Sequence, residues 1–344
     1  SHRAGCMRNS IIRSSVTSSP VEAALLRAWY EGARWAWLLR PLELAYRSAM
    51  ALRRLAYRWG LRRVYRAPVP VVIIGNITVG GTGKTPVVIA LVEALQARGL
   101  RPGVVSRGYG AGPTAAFPHR VNAASTASDC GDEPLLIFQR TGAPCVVAPD
   151  RPAAVRALLA EQSVDVVLCD DGLQHYALAR DLEIALLDAG RGIGNGFCLP
   201  AGPLREPRSR LRSVDALLWR GGEDASTSVF YSVDGVFAVG AVAQGCAPVS
   251  GAEVHAVAGI GQPQQFFNTL RGMGYQVVEH AFPDHHSYSA ADLSALGAAP
   301  VIMTEKDSVK CRAFAAANHW YLKISARLPD TVIERIVALA TQSH

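Results

Sequence analysis

Apolar positions along this chain follow two recurring patterns: short runs rich in Val, Ile and Leu, and longer stretches with a period near 3.6 residues. Their alternation predicts parallel strands joined by helices, because uninterrupted β-branched runs suit strands covered on both faces. The first set of runs is Val71–Ile74, Gly103–Val105, Ala143–Ala148, Val164–Cys169, Leu182–Leu187 and Asp215–Trp219. Helical patterns fall between them, from Lys84 to about Arg98 and over Pro152–Glu161. From about 222 to 250 the pattern changes to short β segments with Gly and Ser, which reads as a connector. A second α/β pattern follows, with strands at Val254–Ala258, Tyr275–Glu279 and Val301–Thr304 and helices at Gln264–Met273 and from about Thr331 to Ala340. The expected fold class is α/β, with a parallel-sheet domain followed by a smaller α/β domain.

Ahead of the first strand, residues 21–66 read as one long helix or two, with Pro41 either kinking the first or starting the second. At 100° per residue Arg40, Arg47, Arg54, Arg58 and Arg62 share one stripe, and Leu38, Leu42, Ala45, Ala49, Leu52, Ala56 and Trp59 lie opposite. Four of the six tryptophans are here: Trp29, Trp35, Trp37 and Trp59. An amphipathic helix with Arg and interfacial aromatics suits the surface of an anionic bilayer. The structural alternative packs the apolar stripe on the domain and leaves the arginines in water. A nucleic-acid arm fits less well, because the apolar face is so continuous. Residues 1–20 are Ser-rich, with a disordered or tag-like character.

Charge sharpens this division. The net charge is +7, and residues 21–66 alone carry ten Arg against three Glu. The basicity belongs to that segment and not to the α/β body. With 344 residues, 49% of them hydrophobic, two domains with a full core are expected. The seven cysteines show no Cys-x-x-Cys pair, which predicts reduced thiols in a cytosolic setting and neither a disulfide framework nor a zinc site. No run of 18 uncharged apolar residues predicts a transmembrane helix, and no apolar secretory signal opens the chain.

The candidate chemistry begins where the first strand ends. Residues 75–86 read Gly-Asn-Ile-Thr-Val-Gly-Gly-Thr-Gly-Lys-Thr-Pro, a glycine-rich turn between a buried strand and a helix. In that setting backbone N–H groups and the helix N-terminus cradle phosphate, so Gly80, Gly81, Thr82, Gly83, Lys84 and Thr85 form a candidate nucleotide site. Lys84 would reach the outer phosphates and the Thr85 hydroxyl would ligate Mg²⁺. Two positions depart from known patterns: Thr78 stands where the standard motif has Gly, and Val79 where partitioning-type ATPases have Lys. The strand Val164–Cys169 runs straight into Asp170 and Asp171, a pair of acids that is costly at a buried strand end without a cation. One of the two is expected to hold the Mg²⁺ shell.

Other motifs read less sharply from the residues alone. Arg107 in Ser-Arg-Gly-Tyr-Gly (106–110) suits phosphate, or equally a surface turn. Asp132 or Glu133 in Gly-Asp-Glu-Pro (131–134) suits a helix cap. Pro-Ala-Gly-Pro-Leu-Arg-Glu-Pro (200–207) is a rigid loop carrying Arg205 and Glu206, and Asp-His-His (284–286) leaves the end of a strand. Thr304-Glu-Lys-Asp307 offers a possible contact to a nucleotide base.

Taken together, Gly75–Pro86, Ser106–Gly110, Gly131–Pro134, Asp170-Asp-Gly-Leu-Gln-His175, Leu199–Glu206, Asp284-His285 and Thr304–Asp307 resemble the tetraacyldisaccharide 4′-kinase family, the lipid A 4′-kinases, in the family's order. The resemblance implies transfer of the ATP γ-phosphate to the 4′-hydroxyl of a lipid A precursor disaccharide. The setting it implies is the cytoplasmic face of the inner membrane, with an enzyme that uses ATP and Mg²⁺; the chain is expected to be peripheral and monomeric and to bind no nucleic acid. It also implies that Asp132 and His285 activate the sugar hydroxyl together with the phosphate-binding Lys84, and that Asn76, Arg107, Tyr109, His175 and Glu206 line the site. His286 beside His285 leaves open which imidazole acts. The expected organisation is 1–20 unstructured, 21–66 membrane-surface helices, 67–221 a P-loop domain, 222–252 a β connector and 253–344 the smaller domain. A partitioning- or metallochaperone-type P-loop ATPase is the alternative, but it predicts Lys at 79 and clustered Cys or His ligands, and neither is present.

Overall fold

The computed structural model describes residues 20–240 and 246–342, so the expectation for residues 1–19 lies outside it. The strands are β1 (Val71–Gly75), β2 (Pro102–Ser106), β3 (His119–Arg120), β4 (Cys145–Val147), β5 (Val166–Asp170), β6 (Leu182–Asp188), β7 (Ala216–Arg220), β8 (Ser228–Ala238), β9 (Glu253–Ala258), β10 (Gln276–Ala281), β11 (Val301–Thr304) and β12 (His319–Arg327). They form one twelve-stranded sheet in the order β10-β9-β11-β12-β8-β7-β6-β1-β5-β2-β4-β3. Pairing is parallel except for β3 on β4 and β8 on β12. The helices are α1 (Pro20–Glu31), α2 (Arg40–Arg58), α3 (Lys84–Gln96), α4 (Ala127–Cys130), α5 (Asp132–Thr141), α6 (Arg151–Glu161), α7 (Pro263–Gly272), α8 (Ala290–Ser294), α9 (Glu305–Cys311) and α10 (Asp330–Gln342).

Strand β1 sits near the middle of the sheet, between β5 and β6, with every residue buried. Alternate side chains explain why it is apolar throughout. Val72 and Ile74 point to one face, into a core with Val88, Leu91 and Leu95 of α3 and Ile336 of α10. Val71 and Ile73 point to the other, into a core with Leu158 of α6 and Leu178. Each such side chain stabilises the fold by about 1.5–3 kcal/mol on burial. The result is a rigid strand whose carboxyl end delivers the phosphate loop.

The expected connector is more regular than short segments. β8 is one strand of eleven residues that pairs with β7 at its start and with β12 along its length, so it joins the two halves of the sheet. Strand β12 is not among the strands expected from the sequence, although its alternation is plain: Trp320, Leu322 and Ile324 face one core, while Tyr321 faces another. Pro41 occupies the first turn of α2 and starts it, after a 3₁₀ turn at Arg34–Leu39.

The N-terminal segment lies opposite to its simplest packing. Glu43 is the buried residue of α2, paired with Arg40 and Arg47 and accepting a hydrogen bond from the Cys198 amide. Arg40 and Arg54 lie over the rings of Phe197 and Tyr176 in the body. Leu38, Leu42, Leu52 and Trp59 are exposed, by 59–80%. The apolar stripe faces solvent, which overturns the alternative that it packs on the domain. Among the described residues no helix is long and apolar enough to cross a membrane.

Candidate active site

The loop after β1 adopts the conformation its glycines permit. Gly80 and Gly83 have φ of 100° and 79°, and α3 begins directly after Gly83 at Lys84. Lys84 Nζ donates to Asn76 Oδ1 at 3.2 Å and lies 3.5 Å from Asp171 Oδ1. Thr85 is buried in the first turn of α3, and the Thr82 hydroxyl is buried without a partner. Val79, the departure from the partitioning-ATPase pattern, packs against Ala28, Trp29 and Ala36 of the N-terminal segment. An ammonium there would be buried among apolar groups, so Val suits this fold.

Beside the loop, β5 delivers the two acids to different surroundings. Asp170 is buried and its Oδ1 has no hydrogen-bond partner. Burial, reinforced by Glu133, pushes its carboxyl up to about 7. Asp171 has a left-handed φ of 50° that turns it toward Lys84 and Arg205. Desolvation alone would raise its carboxyl, but Lys84 and the Arg205 fork outweigh that and hold it well below the usual range. Arg205 reaches Asp171 with two bonds of 3.0 and 2.9 Å, and also donates to the Asn76 carbonyl at 2.9 Å. The orphaned, buried Asp170 Oδ1 is a hard oxygen donor without a partner, so this strand end fits Mg²⁺.

The second cluster is assembled from distant parts of the chain. Asp132 opens α5 and is 3% exposed, and His285 Nδ1 lies 3.0 Å from its Oδ1. Gly131 has φ of 90°, and a Cβ there would sit 2.5 Å from the Tyr109 carbonyl. Only glycine lets the 106–110 loop press on the start of α5. The Tyr109 ring in turn meets the His285 ring edge-on at 4.8 Å. Lys306, from the first turn of α9, lies 3.1 Å from Glu133, 3.4 Å from Asp284 and 3.3 Å from His285 Nε2. Its ammonium is costly to desolvate, but the surrounding acids raise its pKa and keep it charged. A charged lysine can only donate to Nε2, so His285 carries its proton on Nδ1 and donates it to Asp132. Burial would raise the Asp132 carboxyl, yet His285, Lys306 and Lys310 bring it below its ordinary value.

The two clusters adjoin. The Gln262 side chain donates to the Gly81 carbonyl at 3.4 Å, and Tyr231 of β8 donates to the Gly83 carbonyl at 2.8 Å. Arg140 of α5 and Glu305 of α9 clamp the two halves with bonds of 2.9 and 2.8 Å.

The structure thus gathers Asn76, Lys84, Thr85, Asp170 and Asp171 at the phosphate loop, and Asp132, His285 and Tyr109 in the adjoining cluster. His286 stacks on Phe282, meets Tyr288 edge-on and points to Asp292. Arg107 is exposed. Burial, with Arg151 and Arg107 nearby, lowers the His175 imidazole to about 4. Glu206 is fully buried, accepts a hydrogen bond from Tyr176 and lies near Arg210. The neighbouring Arg205 is the side chain that reaches the phosphate loop. Sequence reasoning did not select Arg205, Lys310 or Tyr231, and treated Lys306 only as part of a possible base contact. Thr304 of that motif caps α9 by accepting from the Asp307 amide, and Asp307 accepts from Gly259 N, so residues 304–307 bring Lys306 to Asp132.

A phosphate loop at the carboxyl end of a central parallel strand, faced by a strand-end acid pair, defines a P-loop nucleotide-dependent phosphotransferase. The family model for LpxK, tetraacyldisaccharide-1-P 4′-kinase, matches residues 35–341. The chain is 54% identical over 307 residues to the tetraacyldisaccharide 4′-kinase of Pseudomonas aeruginosa (strain LESB58), covering 88% of this chain and 92% of that protein. It is 56% identical over 308 residues to that of Pseudomonas paraeruginosa (strain DSM 24068 / PA7), with the same coverage. Among solved structures it resembles LpxK from Aquifex aeolicus in complex with ATP, with a TM-score of 0.73 and 28% identity over 88% of this chain and 99% of that one. The chain belongs to the tetraacyldisaccharide 4′-kinase family. It is an ATP-dependent kinase of lipid A biosynthesis that phosphorylates the 4′-position of a lipid disaccharide.

Proposed function

We propose that Asp132 accepts the proton of the 4′-hydroxyl as the γ-phosphoryl moves from ATP, at the surface of an anionic membrane. The observation that carries this reading is the Asp132–His285 contact of 3.0 Å between residues 153 positions apart. A sugar alcohol holds its proton far above neutral pH, so a positioned acceptor assists as the new oxygen–phosphorus bond forms. His285 fixes the carboxylate by donating from Nδ1, and Lys306 fixes the imidazole from its other side. Lys84 balances negative charge on the transferring group, while Arg205 holds Asp171 in place. Thr85 and the Asp170/Asp171 pair would hold Mg²⁺, which would neutralise charge on the phosphate oxygens. Residues 67–221 and 253–344 act as two domains across the β8 connector, and their approach brings Asp132 and His285 together.

The exposed Leu38, Leu42, Leu52 and Trp59 would enter the bilayer interface, with arginines of the same segment on anionic headgroups. On this reading the enzyme is a peripheral protein of the cytoplasmic face of the inner membrane, where ATP and an acylated acceptor meet. Transfer of labelled γ-phosphate to a tetraacyl disaccharide tests the reading on vesicles with and without anionic lipid, and with and without Mg²⁺. Turnover that needs Mg²⁺ and rises with anionic lipid supports it. Equal turnover under all four conditions contradicts both the metal and the membrane assignments.

A further inference from the structure

The turn after β6 holds a cation at the lip of the phosphate loop that the foregoing mechanism does not use. Asp188 Oδ1 accepts from the amides of Gly190 and Arg191 and so fixes the turn. The Arg191 guanidinium lies 4.5 Å above the centre of the Tyr30 ring in α1. Its Nη1 is 3.6 Å from the point where a Cβ on Gly80 would stand. Other basic groups around the loop are committed: Lys84 and Arg205 to Asp171, and Arg220 to Asp188 and Gln265. Among the described residues Arg191 has no carboxylate partner within ion-pair distance of its side chain.

The same helix also supports the loop from below. Trp29 packs with Val79, its carbonyl accepts from the Asn195 amide, and its indole donates to the Pro200 carbonyl. The Val79 amide in turn donates to the Pro203 carbonyl. Helix α1, the 190–203 loop and the first half of the phosphate loop are therefore one packed unit. A guanidinium stacked on a ring loses little freedom on binding phosphate, which makes it an effective donor.

We propose that Arg191 is a further phosphate-binding residue for ATP, positioned by Tyr30, and that α1 is thereby part of the nucleotide site as well as of the membrane-facing segment. The inference rests on the reading of residues 80–85 as the phosphate site. Binding of ATP by the wild-type chain tests that reading by itself.

The experiment is steady-state kinetics of the full chain in mixed micelles, with ATP and the lipid acceptor varied separately. Arg191→Ala should raise the KM for ATP about tenfold, the loss of one charge-assisted phosphate contact. The KM for the lipid and kcat should stay within about twofold of wild type. Arg191→Lys should recover part of the loss, since it keeps charge but not the stacked fork. Tyr30→Phe keeps the ring and should match wild type, whereas Tyr30→Ala should raise the KM for ATP and add nothing in the Arg191→Ala background. An unchanged KM for ATP in Arg191→Ala overturns the proposal. So does a Tyr30→Ala variant that is folded, by its melting midpoint, and loses lipid affinity instead of ATP affinity.

Discussion

The two halves of the active site are built in opposite ways. The phosphate half is almost contiguous: β1, the loop and α3 deliver Asn76, Lys84 and Thr85 within ten residues, and β5 adds its two acids from the adjacent strand. The acceptor half draws Tyr109, Asp132, His285 and Lys306 from four separate segments on both sides of β8. A contiguous site is rigid because its strand is locked in the centre of the sheet. An assembled site exists only while its segments touch, so on the proposed reading a separation of the two halves would dismantle it. Coupling the proton acceptor to that contact would restrict attack by water when no lipid is bound.

The comparison is tested most severely at Lys84. Lys84→Ala should lower kcat by about 10³-fold or more while the melting midpoint is nearly kept, because charge stabilisation of the transferring phosphoryl is lost but no core contact is. Wild-type turnover in that variant would remove the phosphate half from the account. Next in size is the contrast between neighbours Arg205 and Glu206. Arg205→Ala frees Asp171 to draw Lys84 to itself and should cost roughly 10²-fold in kcat/KM for ATP. Glu206→Gln keeps a partner for Tyr176 and should leave turnover within about threefold while lowering stability by about 1–2 kcal/mol. Equal kinetic losses in the two would show that the burial of Glu206 does not separate it from the site.

A smaller effect is expected on the acceptor side from the exposed stripe of α2. Leu52→Ser with Trp59→Ser should reduce partitioning to anionic vesicles by about tenfold or more and raise the apparent KM for lipid, with the KM for ATP unchanged. Unaltered partitioning would return the stripe to an unassigned surface. The smallest effect concerns His175. Its folded-state pKa of about 4 lies below the ordinary 6.5, so between these values the unfolded chain takes up the proton first. Stability should therefore fall as pH drops from about 6.5 to 4, by roughly 1–3 kcal/mol from this residue. Urea midpoints measured across that window should show a flatter decline in His175→Asn; an unchanged slope would contradict the burial argument.

How much of this was legible follows the same division. The strand–loop–helix of the phosphate half is a local pattern, so residues 71–86 announce it. The family's motifs pointed to Asp132 and His285, but periodicity carried no hint that they meet, since contact across 153 residues depends on how β8 joins the sheet. The sequence does not separate Arg205 from Glu206, because adjacent residues in an irregular loop face opposite ways, and only the packing of 199–206 beside the phosphate loop brings the Arg205 guanidinium to Asp171. Strand β12 was missed although it alternates, since Lys323 and the histidine at its start weaken its apolar signal. The opposed stripes of α2 were visible, but not that the buried Glu43 and the ring contacts of Arg40 and Arg54 would turn the apolar stripe outward.

The central claim is that Asp132 and His285 act as one unit across the two halves, and a double-mutant cycle on kcat addresses it directly. Asp132→Ala and His285→Ala should each cost about 10²-fold or more, and the double variant little beyond the larger single loss. ATP binding, measured separately, should hardly change in any of the three. Losses that simply multiply, or near-normal turnover in Asp132→Ala, would contradict the account.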